Sequence, residues 1–416
     1  MKLYMMMISK SIKQHYISSI LTIFCVALST ALLFSTISLR QQTHENFTQT
    51  GIGIDAVLGP KGSPLQIVLN AVYHLEEMPG KIKWDYYKKV AADPLVISAV
   101  PFCTGHSYAG FRVNAIDADF FENFEYAPCR KFSFSESGGG RGRAFSTHGE
   151  AVIGSSVALE LQMNIGSEFS PVCGVNQGDP THDDRIKVVG ILAATATPYD
   201  KAIYIPLKTF YSLSGHSNDV AAMTIDESHR EISGAYLKLK KIRENTLHPG
   251  ITGLKYNINQ SPNAQLVIPN ETLPKLFNII GWVDSVLLMI SITVGIMSML
   301  FLFSTLFNST QEKKRDIALI RFLGAPRKLV FMTVIGESLT LAISGLALGL
   351  ALSRLIVSIA ADQINIETGI RLSASYISPG EIRLIPAILL IGAIAGLIPA
   401  INAYKTNIIK HLKPLS

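Results

Sequence analysis

Four long apolar runs decide what this chain of 416 residues can fold into. They cover residues 17–39, 274–307, 329–360 and 382–404. A helix of about 20 apolar residues crosses the hydrocarbon core of a bilayer, and each run reaches that length. The sequence therefore predicts an α-helical membrane protein with four transmembrane helices. The second run is longer than a bilayer requires, which predicts a stalk that continues outside the membrane.

Lysine and arginine cluster beside the apolar runs, and their positions predict the side on which each segment lies. They are dense in residues 1–16, 308–328 and 405–416, and sparse in residues 361–381. Because basic loops stay in the cytoplasm, both termini are predicted to be cytoplasmic and residues 361–381 to form a short periplasmic loop. This placement also explains the net charge of +6, so nucleic-acid binding is not predicted.

The first apolar run predicts an uncleaved membrane anchor. It is longer than the core of a signal peptide, and residues 38–40, Ser-Leu-Arg, offer no small-residue cleavage site.

The polar stretch between the first two runs, residues 40–273, contains no spanning segment and is large enough to hold its own core. Strand-like composition predicts strands at residues 55–58, 96–100, 111–116, 151–153, 186–191 and 202–205. Helix-like stretches predict helices at residues 63–73, 84–92 and 155–161. The predicted fold class is therefore a four-helix membrane protein with an α+β extracytoplasmic domain between helices 1 and 2.

The cysteines and histidines show no recognisable metal-binding spacing. Cys25 lies inside an apolar run, where a buried hydrophobic role is expected. The soluble part holds Cys103, Cys129 and Cys173, and an oxidising compartment would permit one disulfide among them. It also contains His44, His74, His106, His148, His182, His216, Asp183 and Asp184. Because none of these histidines has another four residues on and there is no C-x-x-C, a metal site is not predicted and would need assembly in space.

The basic segment 308–328 separates the second and third apolar runs. Its apolar residues recur near helical spacing: Ile317, Leu319, Ile320 and Leu323. This pattern predicts a short amphipathic helix that ends at Gly324, with Pro326 starting the next helix. Three interpretations are open: a loop that only fixes topology, a helix on the lipid surface, or a docking helix that inserts Ile317, Leu319 and Leu323 into a groove on a cytoplasmic partner.

The third run contains an ionisable residue and a pair of small residues. Glu337 lies about two turns into the run, where its side chain can reach the interface or pair with Arg321 or Arg327. A proton relay is the other interpretation of an ionisable residue within a span. Gly345 and Gly349 have the small-x-x-x-small spacing that lets transmembrane helices approach closely.

The segment R-D-I-A-L-I-R-F-L-G-A at residues 315–325 resembles the R-x-E-I-G-x-x-R-A-L-G-A coupling segment of FtsX-like and MacB-like ABC transporter permeases. Asp316, Ala318 and Phe322 stand where that family has Glu, Gly and Ala. In the family the segment lies between the second and third transmembrane helices and contacts the ATPase. The resemblance therefore implies ATPase-coupling roles for Arg315, Asp316, Ile317, Leu319, Arg321, Leu323, Gly324 and Ala325.

Further strings are similar to the MacB-type periplasmic domain and to the end of the family's permease. They lie at residues 111–121, 150–158 with Gly166, 188–191, 201–206 and 396–403. By this resemblance, a part from about 118 to 197 would be a subdomain inserted into the periplasmic domain.

Nothing in the sequence resembles a nucleotide-hydrolysing site, since there is no Walker A string. The resemblance thus implies a non-catalytic permease in the bacterial inner membrane, in a layout similar to LolC/LolE. Its implied partners are two copies of a separate ATPase, which bind ATP and magnesium, and a second permease copy, with a homodimer expected. Membrane lipids surround it, and a periplasmic partner is left open. ATP hydrolysis would drive mechanical motion of the periplasmic domain, for export or for handling of lipoprotein or envelope substrates.

Two other functions are weighed against the permease. A membrane-anchored receptor or regulator of an envelope enzyme would act without an ATPase, and would work with the 311–328 segment scrambled. A membrane hydrolase would need a reactive nucleophile, and no Ser-His-Asp or Cys-His constellation has a recognisable spacing.

Overall fold

A computed structural model describes residues 2–50, 53–127, 130–137, 140–174, 182–213, 230–243, 246–322, 324–368 and 372–405. The chain divides into two compact units. The helical unit comprises Met1–Thr43, Ile280–Asp362 and Leu372–Ser416. The α+β unit comprises His44–Ile279 and Gln363–Arg371.

The helices of the described residues, numbered along the chain, are α1 Lys2–Gln14, α2 Tyr16–Thr50, α3 Pro64–Tyr73, α4 Trp84–Ala91, α5 Asp119–Asn123, α6 Ser155–Glu160, α7 Leu207–Ser212, α8 Gly250–Gln260, α9 Pro269–Glu312, α10 Lys314–Phe322, α11 Arg327–Thr368 and α12 Pro379–Tyr404. A 3₁₀ turn covers Pro198–Lys201.

The strands are β1 Ala56–Gly59, β2 Ile82–Lys83, β3 Val96–Tyr108, β4 Phe111–Ile116, β5 Glu125–Ala127, β6 Arg130–Lys131, β7 Glu136–Ser137, β8 Gly140–Arg141, β9 Glu150–Ile153, β10 Glu168–Phe169, β11 Val172–Cys173, β12 Ile186–Ile191, β13 Ala202–Pro206, β14 Glu231–Ile232, β15 Gly234–Leu239, β16 Lys241–Arg243, β17 Thr246–Leu247 and β18 Gln265–Val267. Every strand and helix predicted for the α+β unit is present, with boundaries shifted by one residue or extended.

One mixed sheet of ten strands organises the α+β unit, in the order β10-β12-β9-β13-β4-β3-β15-β1-β18, with β11 paired to β3. The pairs β4/β13 and β9/β12 are parallel, while β3 pairs antiparallel with β4, β11 and β15. Strands β9, β10 and β12, from the region expected to be an inserted subdomain at 118–197, continue this same sheet. The boundaries of that subdomain stay a prediction.

The two faces of the sheet bury different side chains, because successive residues of a strand point to opposite sides. In β13, Ile203 and Ile205 join a large aliphatic core, to which α4, α7 and α8 also contribute. Tyr204 points to the other face and lies in an aromatic cluster with Phe120 and Tyr236. The Tyr236 hydroxyl donates to the Ala71 carbonyl of α3 at 2.8 Å, so the buried polar atom is satisfied.

The described residues contain four helices that are long and apolar enough to cross a membrane: Tyr16–Thr43, Gly281–Glu312, Arg327–Ile364 and Pro379–Tyr404. The predicted number of spans is confirmed at this level, by length and composition. Within the helical unit, a buried cluster joins them, formed by Val26, Leu302, Leu306, Leu341 and Ala395.

Several helix ends differ from the sequence prediction. Helix α11 continues to Thr368, so the loop placed at 361–381 is shorter, because residues 350–368 contain no Pro or Gly. Helix α12 begins at Pro379, where the Ser378 hydroxyl accepts from the backbone N–H of Glu381 at 3.2 Å. Helices α2 and α9 are likewise extended, to Thr50 and from Pro269.

Candidate functional site

Helix α10 is the amphipathic helix predicted between the second and third spans, and it ends as expected at Gly324. Gly324 has φ +102°, a conformation that favours glycine. Its N–H donates to the Arg321 carbonyl at 3.1 Å, and the Ala325 N–H donates to the Ile320 carbonyl at 3.2 Å. These two bonds form a Schellman motif, which fixes the direction in which the chain leaves the helix.

One face of α10 is exposed and carries two large apolar side chains. Leu319 is 44% exposed and Phe322 is 73% exposed. Arg315 is also exposed and shares this face, because positions i, i+4 and i+7 line one side of a helix. We call Arg315, Leu319 and Phe322 the outer face of α10. Phe322, which replaces the Ala of the resembling motif, presents the most exposed of these side chains.

Other residues of α10 pack within the chain. Ala318 is completely buried. Ile317 packs against a cluster on α11 and α12 that consists of Val330, Val334, Ala400 and Ala403. The structure thus assigns Ile317 to internal packing, which differs from the expectation that it enters a groove on a partner. The sequence spacing could not distinguish the two faces because both carry apolar residues.

Some of the predicted coupling residues remain without a structural description. Leu323 and the side chain of Asp316 lie outside the described residues. Pro326 stands directly before α11, and its carbonyl accepts from the Leu329 N–H at 3.0 Å, so it begins the next helix as predicted.

A polar cluster lies beside α10 and involves Glu337, which is 6% exposed. Its Oε1 lies 3.6 Å from the Nζ of Lys313 and accepts from the Ser11 hydroxyl at 2.5 Å. Lys313 also donates to the Ser309 hydroxyl at 2.5 Å and to the Ser11 hydroxyl. The predicted ion pair near the coupling segment is therefore present, but with Lys313 in the turn before α10. A buried charge needs such compensation to be tolerated.

The two arginines proposed as partners of Glu337 have other positions or contacts. The Arg327 guanidinium lies over the Tyr404 ring, 5.9 Å from its centroid. Arg321 is a half-buried residue of α10. Lys313, the actual partner of Glu337, was missed because it lies outside the resembling motif. It stands between the end of α9 and the start of α10.

A cavity of about 450 Å³ adjoins this cluster. It lies between α1, the end of α9, α10 and α11, and its lining includes Lys10, Ser309, Leu319, Thr333 and Glu337. The turn and the short helix are thus supported on one side by polar contacts and open on the other.

Gly345 and Gly349 line the contact between α11 and α2. A Cβ on Gly345 would lie 2.6 Å from the Val26 side chain. A Cβ on Gly349 would lie 1.7 Å from the Thr30 hydroxyl and 2.7 Å from the Ala27 carbonyl oxygen. The two helices can approach this closely only because both positions lack side chains.

A second ion pair lies at the far end of α11. The Nη2 of Arg354 donates to Oε2 of Glu381 at 2.5 Å, and Nη1 donates to the Tyr376 carbonyl at 2.9 Å. Glu381 is 1% exposed. Sequence reasoning missed this pair, because it placed Glu381 at the end of a loop.

A metal site among the cysteines and histidines of the α+β unit was expected only if the fold assembled one in space. Cys103 and Cys173 are not joined to each other in a disulfide, and Cys129 lies outside the described residues. However, His106, Cys173 and His182 come together, with one ligand atom from each lying within 4.8 Å of the others. No local spacing predicts this cluster.

Comparison with known proteins assigns the chain to a family. The MacB-like periplasmic core domain matches residues 19–240, and the FtsX-like permease C-terminal domain matches residues 288–408. The first match alone covers more than half of the chain, so this protein belongs to the FtsX-like and MacB-like ABC transporter permeases. It is accordingly a membrane protein with a periplasmic domain of the MacB type.

Two solved structures are similar to this chain over about half of its length. The periplasmic region of MacB from Actinobacillus actinomycetemcomitans has a TM-score of 0.32 and 10% identity, and the match covers 54% of this chain and 95% of that one. The extracellular domain of the noncanonic ABC-type transporter YknZ from Gram-positive bacteria has a TM-score of 0.29 and 12% identity, with 51% and 98% covered. No curated protein sequence matches this chain.

Proposed function

We propose that this chain is the permease subunit of an ABC transporter and that it converts ATP hydrolysis by a separate ATPase into motion of its periplasmic domain. The observation that supports this proposal best is the outer face of α10. Two exposed apolar side chains and an arginine lie together on a helix whose other face is fixed by packing. Apolar anchors beside an arginine are typical of residues that dominate protein interfaces.

The contacts around α10 would transmit a displacement of this helix to the transmembrane helices. Ile317 packs against α11 and α12, and the Lys313–Glu337 pair ties the turn before α10 to α11. Movement of α10 therefore has to be accommodated by α9 and α11, since both are joined to it by short connections. Such displacement of packed helices is a recognised form of two-state transition.

The helical bundle does not favour a wide hydrophilic channel. A cavity of about 220 Å³ between α2, α9, α11 and α12 is lined mainly by apolar side chains. We therefore favour transmission of motion over passage of a polar solute through the four helices. In the proposed assembly two copies of this chain act with two ATPases, which bind ATP and magnesium on the cytoplasmic side, where both termini also lie.

The test is co-purification of an ATPase with the full chain from native membranes. Wild-type protein is compared with Leu319→Asp/Phe322→Asp, which removes the apolar part of the outer face without touching Ile317. The matched control is Ile97→Asp/Leu159→Asp, because these residues of the α+β unit are similarly exposed, at 64% and 72%. ATP hydrolysis in the eluate and identification of a Walker A protein are the readouts.

We expect wild type and the control to retain the ATPase, and the α10 variant to lose it. Absence of an ATPase with wild type would reject the permease and favour a receptor that works without one. Retention by the α10 variant would reject the outer face as the docking surface.

A further inference from the structure

The periplasmic domain holds a cluster of two imidazoles and a thiol that the transport proposal does not use. His106 lies in β3 and Cys173 in β11, and the two residues face each other as Cα partners in the antiparallel pair. The ladder between β3 and β4 is irregular between Thr104 and His106, next to Gly105 at φ +142°. Such a bulge redirects the side chains beside it.

The third member, His182, comes from a different segment of the chain, and a backbone hydrogen bond holds it in place. The His182 N–H donates to the Pro171 carbonyl at 2.9 Å, one residue before β11. The rings of His106 and His182 have centroids 4.9 Å apart. Both histidines are buried, at 1% and 7% exposure, whereas Cys173 is partly exposed.

The surrounding contacts hold the side chains of this cluster in place. The Ser107 hydroxyl donates to the Gly174 carbonyl at 2.7 Å, and the Gly174 N–H donates to the Gly105 carbonyl at 2.8 Å. These bonds fasten the residues next to Cys173 to those next to His106. The ring of Phe210 lies edge-on to His106 at 4.8 Å, which restricts the imidazole further. Ligands held by neighbouring packing and hydrogen bonds are characteristic of functional metal sites.

The distances suit a single small cation. Three atoms within 4.8 Å of one another leave a point within about 2.8 Å of all three (4.8 Å divided by √3). Zinc binds imidazole nitrogen at about 2.0–2.1 Å and thiolate sulfur at about 2.3 Å, so side-chain shifts of less than about 1 Å complete the coordination. Three protein ligands would leave a fourth position for water or another ligand.

We propose that His106, Cys173 and His182 bind one divalent late transition-metal ion, with Zn²⁺ the best match to a donor set of two nitrogens and one sulfur. Binding takes the thiolate form of Cys173, and the thiol proton passes to solvent. The partly exposed side of Cys173 gives the ion its entry. This site stands independently of ATPase coupling, because it lies wholly within the α+β unit.

The test uses the full chain in detergent, purified with a tag that contains no histidine run and stripped with a chelator. Co²⁺ alone is titrated as a spectroscopic substitute for Zn²⁺. We expect a thiolate-to-cobalt charge-transfer band that saturates at one Co²⁺ per chain and disappears when Zn²⁺ is added. Cys173→Ser should abolish the band. His106→Asn and His182→Asn should weaken binding by more than the roughly 10- to 100-fold that loss of an outer-shell partner costs.

Cys103→Ser is the matched control, since Cys103 is a cysteine of the same sheet outside the cluster, and it should keep the band. A second measurement needs no substitution: Zn²⁺ should protect Cys173 of the wild type from alkylation. The proposal is overturned if no band forms, if the band survives Cys173→Ser or requires Cys103. It is equally overturned if Zn²⁺ does not protect Cys173 or if Cys173 is found in a disulfide.

Discussion

The Nζ of Lys313 lies 3.6 Å from Oε1 of Glu337, and the two side chains are only 17% and 9% exposed. This pair joins the turn between α9 and α10 to the third turn of α11. Since Ser11 of α1 donates to the same carboxylate, three segments meet at one charge. The pair therefore holds the start of α10 in place.

Lys313→Met should destabilise the helical unit. Removal of one partner from a buried ion pair leaves the other charge uncompensated and costs up to about 3–5 kcal/mol. The double variant Lys313→Met/Glu337→Gln should recover much of this loss because no charge is then stranded. Thermal melting of the full chain in detergent measures both effects. Lys328→Met, which removes an exposed lysine near the same segment, serves as the control and should melt like wild type.

If Lys313→Met and the control melt alike, or if the double variant is no more stable than the single one, the pair does not stabilise this region.

Gly349→Ala should also destabilise the helical unit. The added Cβ would lie 1.7 Å from the Thr30 hydroxyl and 2.7 Å from the backbone oxygen of Ala27, so α2 and α11 would have to separate. Overpacking of this kind costs typically about 1–3 kcal/mol. Gly281→Ala is the matched control, because a Cβ there meets no atom within 4 Å. Equal melting temperatures for the two variants would contradict the close contact.

The features that the sequence predicted well are those that local pattern determines. The apolar runs predicted the spans, because a helix in a bilayer needs a long apolar segment whatever its neighbours are. Gly324 predicted the end of α10, since few other residues adopt its positive φ. In the α+β unit, short apolar stretches predicted β4, β12 and β13 nearly to the residue.

The features that were missed depend on contacts between distant segments. Strand β15 lies inside the sheet, between β3 and β1, yet the sequence pattern did not predict it. The partner of Glu337 was placed on an arginine, because sequence distance does not say which long side chain points toward the carboxylate. The cluster of His106, Cys173 and His182 depends on the pairing of β3 with β11 and on the bulge beside His106. Sequence spacing indicates neither of these features.

Arg354→Lys should destabilise α11 and α12 even though it keeps the charge. Arg354 donates from two nitrogens, to Glu381 and to the Tyr376 carbonyl, and an ammonium group cannot reproduce this planar geometry. Loss of the bond to the half-buried Tyr376 carbonyl costs roughly 1–3 kcal/mol. The comparison is with Arg383→Lys, a conservative change at an exposed arginine of α12. Unchanged melting of Arg354→Lys would show that one ion contact is sufficient.

His74 should make the stability of the periplasmic domain depend on pH. It is buried at the end of α3, where its Nδ1 lies 3.3 Å from the Asn114 amide nitrogen. Burial, opposed by a backbone hydrogen bond with Asn70 and assisted by the charge of Arg112, lowers the pKa of His74 to about 4. The folded domain therefore holds this imidazole neutral at pH values where the unfolded chain, with a pKa of 6.5, binds a proton.

The sign of the effect follows from this difference. Above about pH 6.5 neither state is protonated and the contribution to stability is complete. As pH falls from 6.5 toward 4, protonation favours the unfolded chain, and about 3 kcal/mol is lost in all. The measurement is thermal unfolding of the full chain between about pH 7.5 and pH 5. His74→Asn should flatten the profile, because Asn tolerates the positive φ of 56° at this position and does not titrate.

His148→Asn is the matched control, since it removes an exposed imidazole from the same unit, and it should retain the steeper wild-type profile. A His74→Asn profile as steep as that of wild type would place the pH dependence on other groups. A wild-type domain whose stability does not fall between these pH values would contradict the neutral buried imidazole itself.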